Sequence, residues 1–168
     1  MIPDRDPDYV LALEWLQERF NSTSHAESPP LFYIHFFILR ANRVIIGEVR
    51  GAETFELLSA LNTGHAGSLS TAHANSVKDM ISRLETMVLM GVQLPLEAIR
   101  RQIASGIEIL VHLGRGEDGS RRVEEIAEIT GMEEDEIKTV SLFRREYGRG
   151  LQKTGELVHR EKLEGKTG

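Results

Sequence analysis

RVIIGEVRGAETFELLSALNTGHAGSLSTAH, Arg43–His73, carries the reading on which the fold turns. Val44, Ile45 and Ile46 form a short apolar run stopped by Gly47, the pattern of a strand buried on both faces and paired in parallel. ETFELLSALNTG (Glu53–Gly64) then changes period. Leu57, Leu58 and Leu61 fall on one helical face, and Gly64 ends the helix. SLSTAH (Ser68–His73) is a second short strand. Strand, helix and strand in that order give an α/β fold with parallel strands. Ligands in such sheets bind beyond the carboxyl ends of the strands. Two such ends are visible: one carries Gly47 and Glu48, the other His73, Ala74 and Asn75.

Downstream, Ser76 is placed to cap a helix, with Asp79 three residues on in a capping-box position. Val77, Met80, Ile81, Leu84, Met87 and Val88 give that helix its core face, and Gly91 ends it. Pro95 opens another helix with Leu96, Ile99 and Ile103. IEILVHL (Ile107–Leu113) alternates apolar residues at 107, 109, 111 and 113. RRVEEIAEI and IKTVSLFRREY follow as strands around the turn TGMEEDE (Thr130–Glu136), an antiparallel extension of the sheet. After Gly148 the chain is polar, and a frayed tail is expected. Upstream, Asp6 and Pro7 start a helix over about residues 8–20, with Tyr9, Leu13, Leu16 and Phe20 at helical spacing. NSTSHAESPP (Asn21–Pro30) reads as a loop. LFYIHFFIL (Leu31–Leu39) reads equally as a buried strand or a buried helical turn.

The 168 residues fit about one domain. Hydrophobic residues make up 40% and charged residues 27%, an ordinary globular balance. Without cysteine there is neither a disulfide framework nor a thiolate metal site. The net charge of −6 argues against wrapping nucleic acid by bulk electrostatics, and no direct nucleic-acid contact is expected. The longest apolar run, Leu31–Leu39, is far shorter than the roughly 20 residues of a membrane span. The acidic N-terminus shows no signal peptide. A cytoplasmic location is the expectation.

Glu48 at a strand end could hold Mg²⁺ through water or polarise a water for attack on a terminal phosphate. Alternatively, it is a solvated glutamate entering a turn. Ser68, Ser70 and Thr71 are small, so backbone or a ligand can come close. If the two strands are neighbours, His73 ends at the height of Glu48. His65 lies at the helix-to-strand junction. Either imidazole could hydrogen-bond a terminal phosphate, or both are satisfied by backbone groups. A facial metal set of His65, His73 and Glu48 is a further possibility, although the spacing matches no familiar ligand pattern.

RVIIGEVRGAE, LNTGHAGSLSTAHANS, RLETMVLMGVQLPLEAIRRQIASGIEILVHLGR and GSRRVEEIAEITGME resemble consecutive blocks of the secretion ATPase superfamily. The nearest branch is the CpaF-type ATPases of tight-adherence (Flp) pilus assembly and conjugation. The resemblance spans about residues 40–147. It implies a RecA-like fold, a homo-oligomeric hexameric ring docking at inner-membrane secretion or pilus platform proteins, and ATP with Mg²⁺. IIGE resembles the Walker B segment, with Glu48 as the catalytic carboxylate and a water-mediated Mg²⁺ contact. GHAGSLSTAHAN resembles the His box, with His65 and His73 as its histidines. The resemblance places Gly47, Arg50 and Gln102 at cofactor-binding positions. Arg40 and Arg43 fit an R-P-D-R element in which Ala41 and Asn42 replace proline and aspartate. Arg83, Arg100, Arg101, Arg121 and Arg122 read as solvated or ion-paired arginines, or as residues reaching a neighbour's nucleotide.

A nucleotide-hydrolysing member also needs a phosphate cradle, G-x-x-x-x-G-K-[ST], between a strand and a helix. Gly165-Lys166-Thr167 is the single Gly-Lys-Thr, with no apolar strand before it. The chain is therefore expected to divide into an unmatched leader (1–39), the C-terminal half of a RecA-like domain (40–148) and a polar tail (149–168). The expected function is that of a truncated, catalytically impaired secretion or pilus-assembly ATPase of marginal stability. The alternative is a non-catalytic module binding full-length ring subunits or assembly partners.

Overall fold

The computed structural model describes residues 43–65, 67–116 and 118–159. The helix expected at 8–20, the loop at 21–30, the apolar run at 31–39, Arg40 and the Gly-Lys-Thr at 165–167 lie outside the described residues. The elements are β1 (Ile45–Ile46), α1 (Thr54–Asn62), β2 (Leu69–Ser70), α2 (Val77–Leu89), α3 (Leu96–Gly106), β3 (Ile109–Arg115), β4 (Arg121–Glu133), β5 (Glu136–Glu146) and β6 (Gly150–Lys153). The α/β class is as expected: a parallel pair is followed by antiparallel strands. The antiparallel strands form a sheet of their own, β3-β4-β5-β6, rather than a hydrogen-bonded continuation of β1-β2.

β1 and β2 pair in parallel, Ile45 opposite Leu69 and Ile46 opposite Ser70. Two ladder residues are few, and hydroxyls extend the alignment at both ends. Ser68 Oγ accepts from Val44 N at 2.8 Å and donates to His65 O at 2.7 Å. Beyond the strands Val49 N donates to Thr71 O at 2.9 Å, and Thr71 Oγ1 donates to Gly47 O. The pairing thus runs on toward residues 48 and 73.

Helix α1 starts and stops within two residues of the pattern read from sequence. Ser76 caps α2 as expected, its hydroxyl accepting from Asp79 N at 3.0 Å. Removing such a cap costs about 1 kcal/mol. Ser76→Ala is therefore expected to lower stability by about that amount in urea denaturation, while Ser76→Asp retains most of it. At the other end of α2, Gly91 lies against the start of α1. A Cβ there would stand 2.7 Å from Ala52 Cβ, so only glycine allows this approach.

The core lies among the three helices and one face of β4. It contains Val49, Leu57, Leu58, Leu84, Met87, Val88, Ile99, Ile103 and Ile129, with Leu110 and Ile137 packed against it. Helix α3 touches α1, α2, β4 and β5, and so joins the parallel pair to the antiparallel sheet. The alternation at 107, 109, 111 and 113 does not mark a core face. Ile107, the C-cap of α3, and Leu110 pack against the core, whereas Val111 and Leu113 are 54% and 59% exposed. α3 covers one face of the sheet only, so the apolar residues of the other face stay open.

The turn between β4 and β5 is shorter than expected. Glu133 pairs with Glu136, which leaves Glu134 (φ 46) and Asp135 (φ 64) as a two-residue hairpin turn. Two left-handed residues match the twist of the flanking strands. Arg100 supports the turn from α3: its Nη1 donates to Asp135 O at 2.9 Å while its Nε binds Glu85 at 2.7 Å. Gly131, taken as part of the turn, instead sits at a β-bulge with φ 127.

The tail is not frayed through its described part. β6 pairs with β5, and the chain then turns at Gly155 and returns to β4. There Glu128, only 2% exposed, accepts from Val158 N at 2.7 Å and His159 N at 2.8 Å, with His159 Nδ1 at 2.9 Å. A buried carboxylate is costly unless its lone pairs are engaged. Here three donors from one segment engage them. Among the described residues no helix is long and apolar enough to cross a membrane.

Candidate functional site

Parallel pairing brings the two carboxyl ends side by side. From the Ile46–Ser70 register, two more residues lead to Glu48 and three to His73. Their side chains meet: His73 Nε2 stands 2.8 Å from Glu48 Oε1. Arg50 takes the other oxygen, its guanidinium donating to Glu48 Oε2 at 2.6 Å. Glu48 Oε1 is shut off from solvent and has no hydrogen-bond partner among the described residues, although the His73 ring nitrogen lies against it. His73 and Arg50 are 79% and 74% exposed, whereas Glu48 is 24% exposed. A shielded acid is thus held between two accessible groups.

The hydrogen bond from Arg50 holds the Glu48 carboxyl below its usual range, against the opposing effect of burial, with Arg50, His73 and Arg83 adding favourable charge. Glu48 is therefore an anion at neutral pH. The turn after it is pinned by Glu53, whose Oε1 accepts from Arg50 N at 2.6 Å and Gly51 N at 3.0 Å. Gly47 has open space where a Cβ would point, which leaves the backbone before Glu48 uncrowded.

The other expected site residues are not brought into this cluster. His65 is 7% exposed at the far end of α1, its Nδ1 3.2 Å from Ala60 O. Gln102 lies on α3 beside the same end, where its carbonyl accepts from Asn62 Nδ2 at 3.0 Å. Nine helical residues separate that end from the turn at Arg50, which is about 14 Å along the axis. Among the described residues no three His, Asp or Glu side chains form a set that could hold a metal ion, so the facial set His65–His73–Glu48 is not assembled.

Arg100, Arg101 and Arg122 are ion-paired, to Glu85, Glu97 and Asp118. Arg83 instead lines an open groove of about 460 Å³ beside the strand ends, together with Arg50, Asn75, Asp79, Thr86 and Met90. Sequence gave no reason to separate Arg83 from the other arginines. Its phase on α2 relative to the cap at Ser76 was the available signal. The Glu48–Arg50 contact was readable in principle, since residues two apart in extended chain share a side.

Comparison with known proteins gives the family and the fold. The profile described as "Type II/IV secretion system protein" matches residues 37–146. A putative conjugal transfer protein of Mycobacterium tuberculosis is 37% identical over 110 residues, which is 66% of this chain and 31% of that protein. The type IV secretion system protein VirB11 of Brucella abortus is 36% identical over 88 residues, 50% of this chain and 24% of that one. The crystal structure of the VirB11 ATPase from the Brucella suis type IV secretion system, in complex with sulphate, superposes with a TM-score of 0.54. It is 30% identical and covers 60% of this chain and 31% of that chain. The chain thus spans about a third of the length of the first of these relatives.

Proposed function

We propose, since this chain belongs to the type II/IV secretion system protein family, that its joined strand ends are the water-activating half of a secretion or conjugation ATPase site. The observation that carries this reading is the Glu48–His73 contact of 2.8 Å at the carboxyl ends of two parallel strands. An anionic carboxylate there can orient and accept a proton from the water that attacks the terminal phosphate of ATP. His73 lies against the carboxylate and, being largely exposed, is accessible to a phosphate oxygen. Magnesium, when present, neutralises charge on the phosphates. A single carboxylate with Oε2 on Arg50 and Oε1 closed to solvent suits an outer contact to the hydrated ion through water, not direct ligation. Gly47 and Arg50 flank the same point, while His65 and Gln102 support α1 from its other end. The sequence blocks quoted above favour a role in CpaF-type pilus assembly. The working form is a homo-oligomeric ring on a cytoplasmic platform at the inner membrane.

The 168 residues contain no phosphate cradle between a strand and a helix, and the cradle supplies most phosphate affinity and anchors the metal. The chain alone is therefore catalytically impaired. Calorimetric titration with Mg-ATP is expected to show weak binding at most, far from the micromolar range, and no phosphate release. A low-micromolar constant with turnover would overturn this. Mixed with a full-length relative, the chain should enter rings and lower their ATPase rate. The absence of both co-elution and any change in rate would sink the assignment to a ring.

A second reading, a non-catalytic module packed against ring subunits or assembly partners, is favoured by the open apolar residues Val111 and Leu113 on β3. Alanine at both positions should then abolish co-elution while Glu48→Gln leaves it intact.

A further inference from the structure

The groove beside the strand ends holds two arginines in different states. Arg50 is bound to Glu48, whereas Arg83 has no ion-pair partner among the described residues. Arg83 is still near enough to help keep the Glu48 carboxyl ionised. Between and around them stand Asn75, Ser82 and Thr86, with amide and hydroxyl donors, and the acid Asp79. The backbone beneath Arg50 is fixed by Glu53, but its side chain is 74% exposed. The guanidinium can therefore swing about its own side-chain bonds without moving the turn.

Arg50 occupies Oε2 of Glu48, and Oε1 is closed to solvent beneath the His73 ring, so neither carboxylate oxygen is open to water. In that state the acid is poorly placed to take a proton from water. Arg50 is the solvent-facing partner, so leaving the carboxylate returns its guanidinium to water at modest cost. Guanidinium binds phosphoryl oxygens in fork geometry, and more strongly when a second cation shares the anion.

We infer that the groove binds a phosphoryl oxyanion between Arg83 and Arg50, and that Arg50 leaves Glu48 to do so, freeing the carboxylate only when the groove is filled. Arg83 captures the anion. Arg50 is a positioning residue with two stations, one on the acid and one on the ligand. The inference rests on the phosphate-facing reading of the strand ends given above, and it adds the ligand class of the neighbouring groove and a gate on the acid.

The test uses the full chain and inorganic pyrophosphate as probe, with affinity from calorimetry and the arginine Nε–Hε signals followed by NMR. Saturable binding that shifts the Arg50 and Arg83 signals together is expected. Arg83→Ala should weaken binding by roughly tenfold and Arg83→Lys by less, with thermal midpoints unchanged. The decisive result is a double-mutant cycle. Glu48→Gln should tighten pyrophosphate binding several-fold in the wild-type background, because Arg50 no longer has a competing partner. In an Arg50→Ala background the same change should have little effect. No saturable binding, or binding indifferent to Arg83, overturns the inference. So does equal tightening by Glu48→Gln in both backgrounds, since simple removal of a negative charge then accounts for it. If the cycle shows coupling while mixed rings show no change in ATPase rate, the groove stands and the ATPase reading falls. The reverse pattern separates them in the other direction.

Discussion

Truncating Ile103 to alanine is expected to lower the unfolding free energy by about 2–5 kcal/mol. Ile103 is fully buried on α3, in one cluster with Leu58 from α1, Val88 from α2 and Ile129 from β4. Deleting its outer carbons removes transfer energy and leaves a void that three elements would have to collapse into. They are poorly able to do so, because each is tied elsewhere: α2 is wedged on Ala52 by Gly91, and α3 is tied to α2 and the hairpin by Arg100. A domain with about 5–15 kcal/mol in total would lose a large fraction of its stability. Urea denaturation should show a lower midpoint at an unchanged slope. Val111→Ala, which truncates an exposed side chain on β3, serves as the control and should change little. A loss at Ile103 no larger than at Val111 would mean that α3 is not the element joining the two sheets.

Glu128→Ala is the second large effect. The carboxylate is buried and takes two backbone N–H groups and an imidazole from residues 158–159. Hydrogen bonds to a charged group contribute about 1.5–3 kcal/mol each, and those lost here are partly replaced by water once the segment lifts off. A net loss of about 2–3 kcal/mol is expected. Amide exchange should become fast at Val158 and His159 while Ile129 remains protected. The wild-type pH dependence has a definite sign. Burial pushes the Glu128 carboxyl up, but the N–H groups of Val158 and His159 and the His159 ring together outweigh it and hold the carboxyl below 4.5. A depressed carboxyl stabilises the fold fully above its unfolded value. That contribution is lost as pH falls below about 4.5 and through the lower folded value. Glu128→Ala should flatten this part of the stability–pH curve. Retention of the full acid dependence in the variant would show that other carboxylates carry it.

These features differ in how far they could be read from sequence. The order and pairing of β1, α1 and β2 were legible because period and punctuation agree there, with a glycine stop and leucines on one helical face, but the burial of β1 on both faces was not borne out, since Ile45 is 48% exposed. The cap at Ser76 was legible for the same reason, being a local contact across three residues. What was misread depends on partners far along the chain. Glu134 and Asp135 carry no glycine to announce a tight turn, and the arginine that supports them lies 35 residues away. Gly131 looked like turn chemistry but serves a bulge. Alternation along β3 was real, yet period alone does not say which face meets a helix. The polar composition after Gly148 concealed a segment whose anchor, Glu128, lies about thirty residues upstream. At the candidate site the pairing of Glu48 with His73 was conditional on strand adjacency, which the register supplies. The separation of His65 from His73 follows from α1 itself, which keeps the two ends of its span apart.

The parallel pair is aligned less by strand length than by Ser68 at one end and Thr71 at the other. Two small alcohols, each reaching from β2's flanks to β1's backbone, act as rivets on a seam too short to hold itself. Phasing of the acid and the imidazole is thereby encoded in residues that touch neither. An engineer wishing to transplant this constellation into another scaffold would have to carry those alcohols along with it.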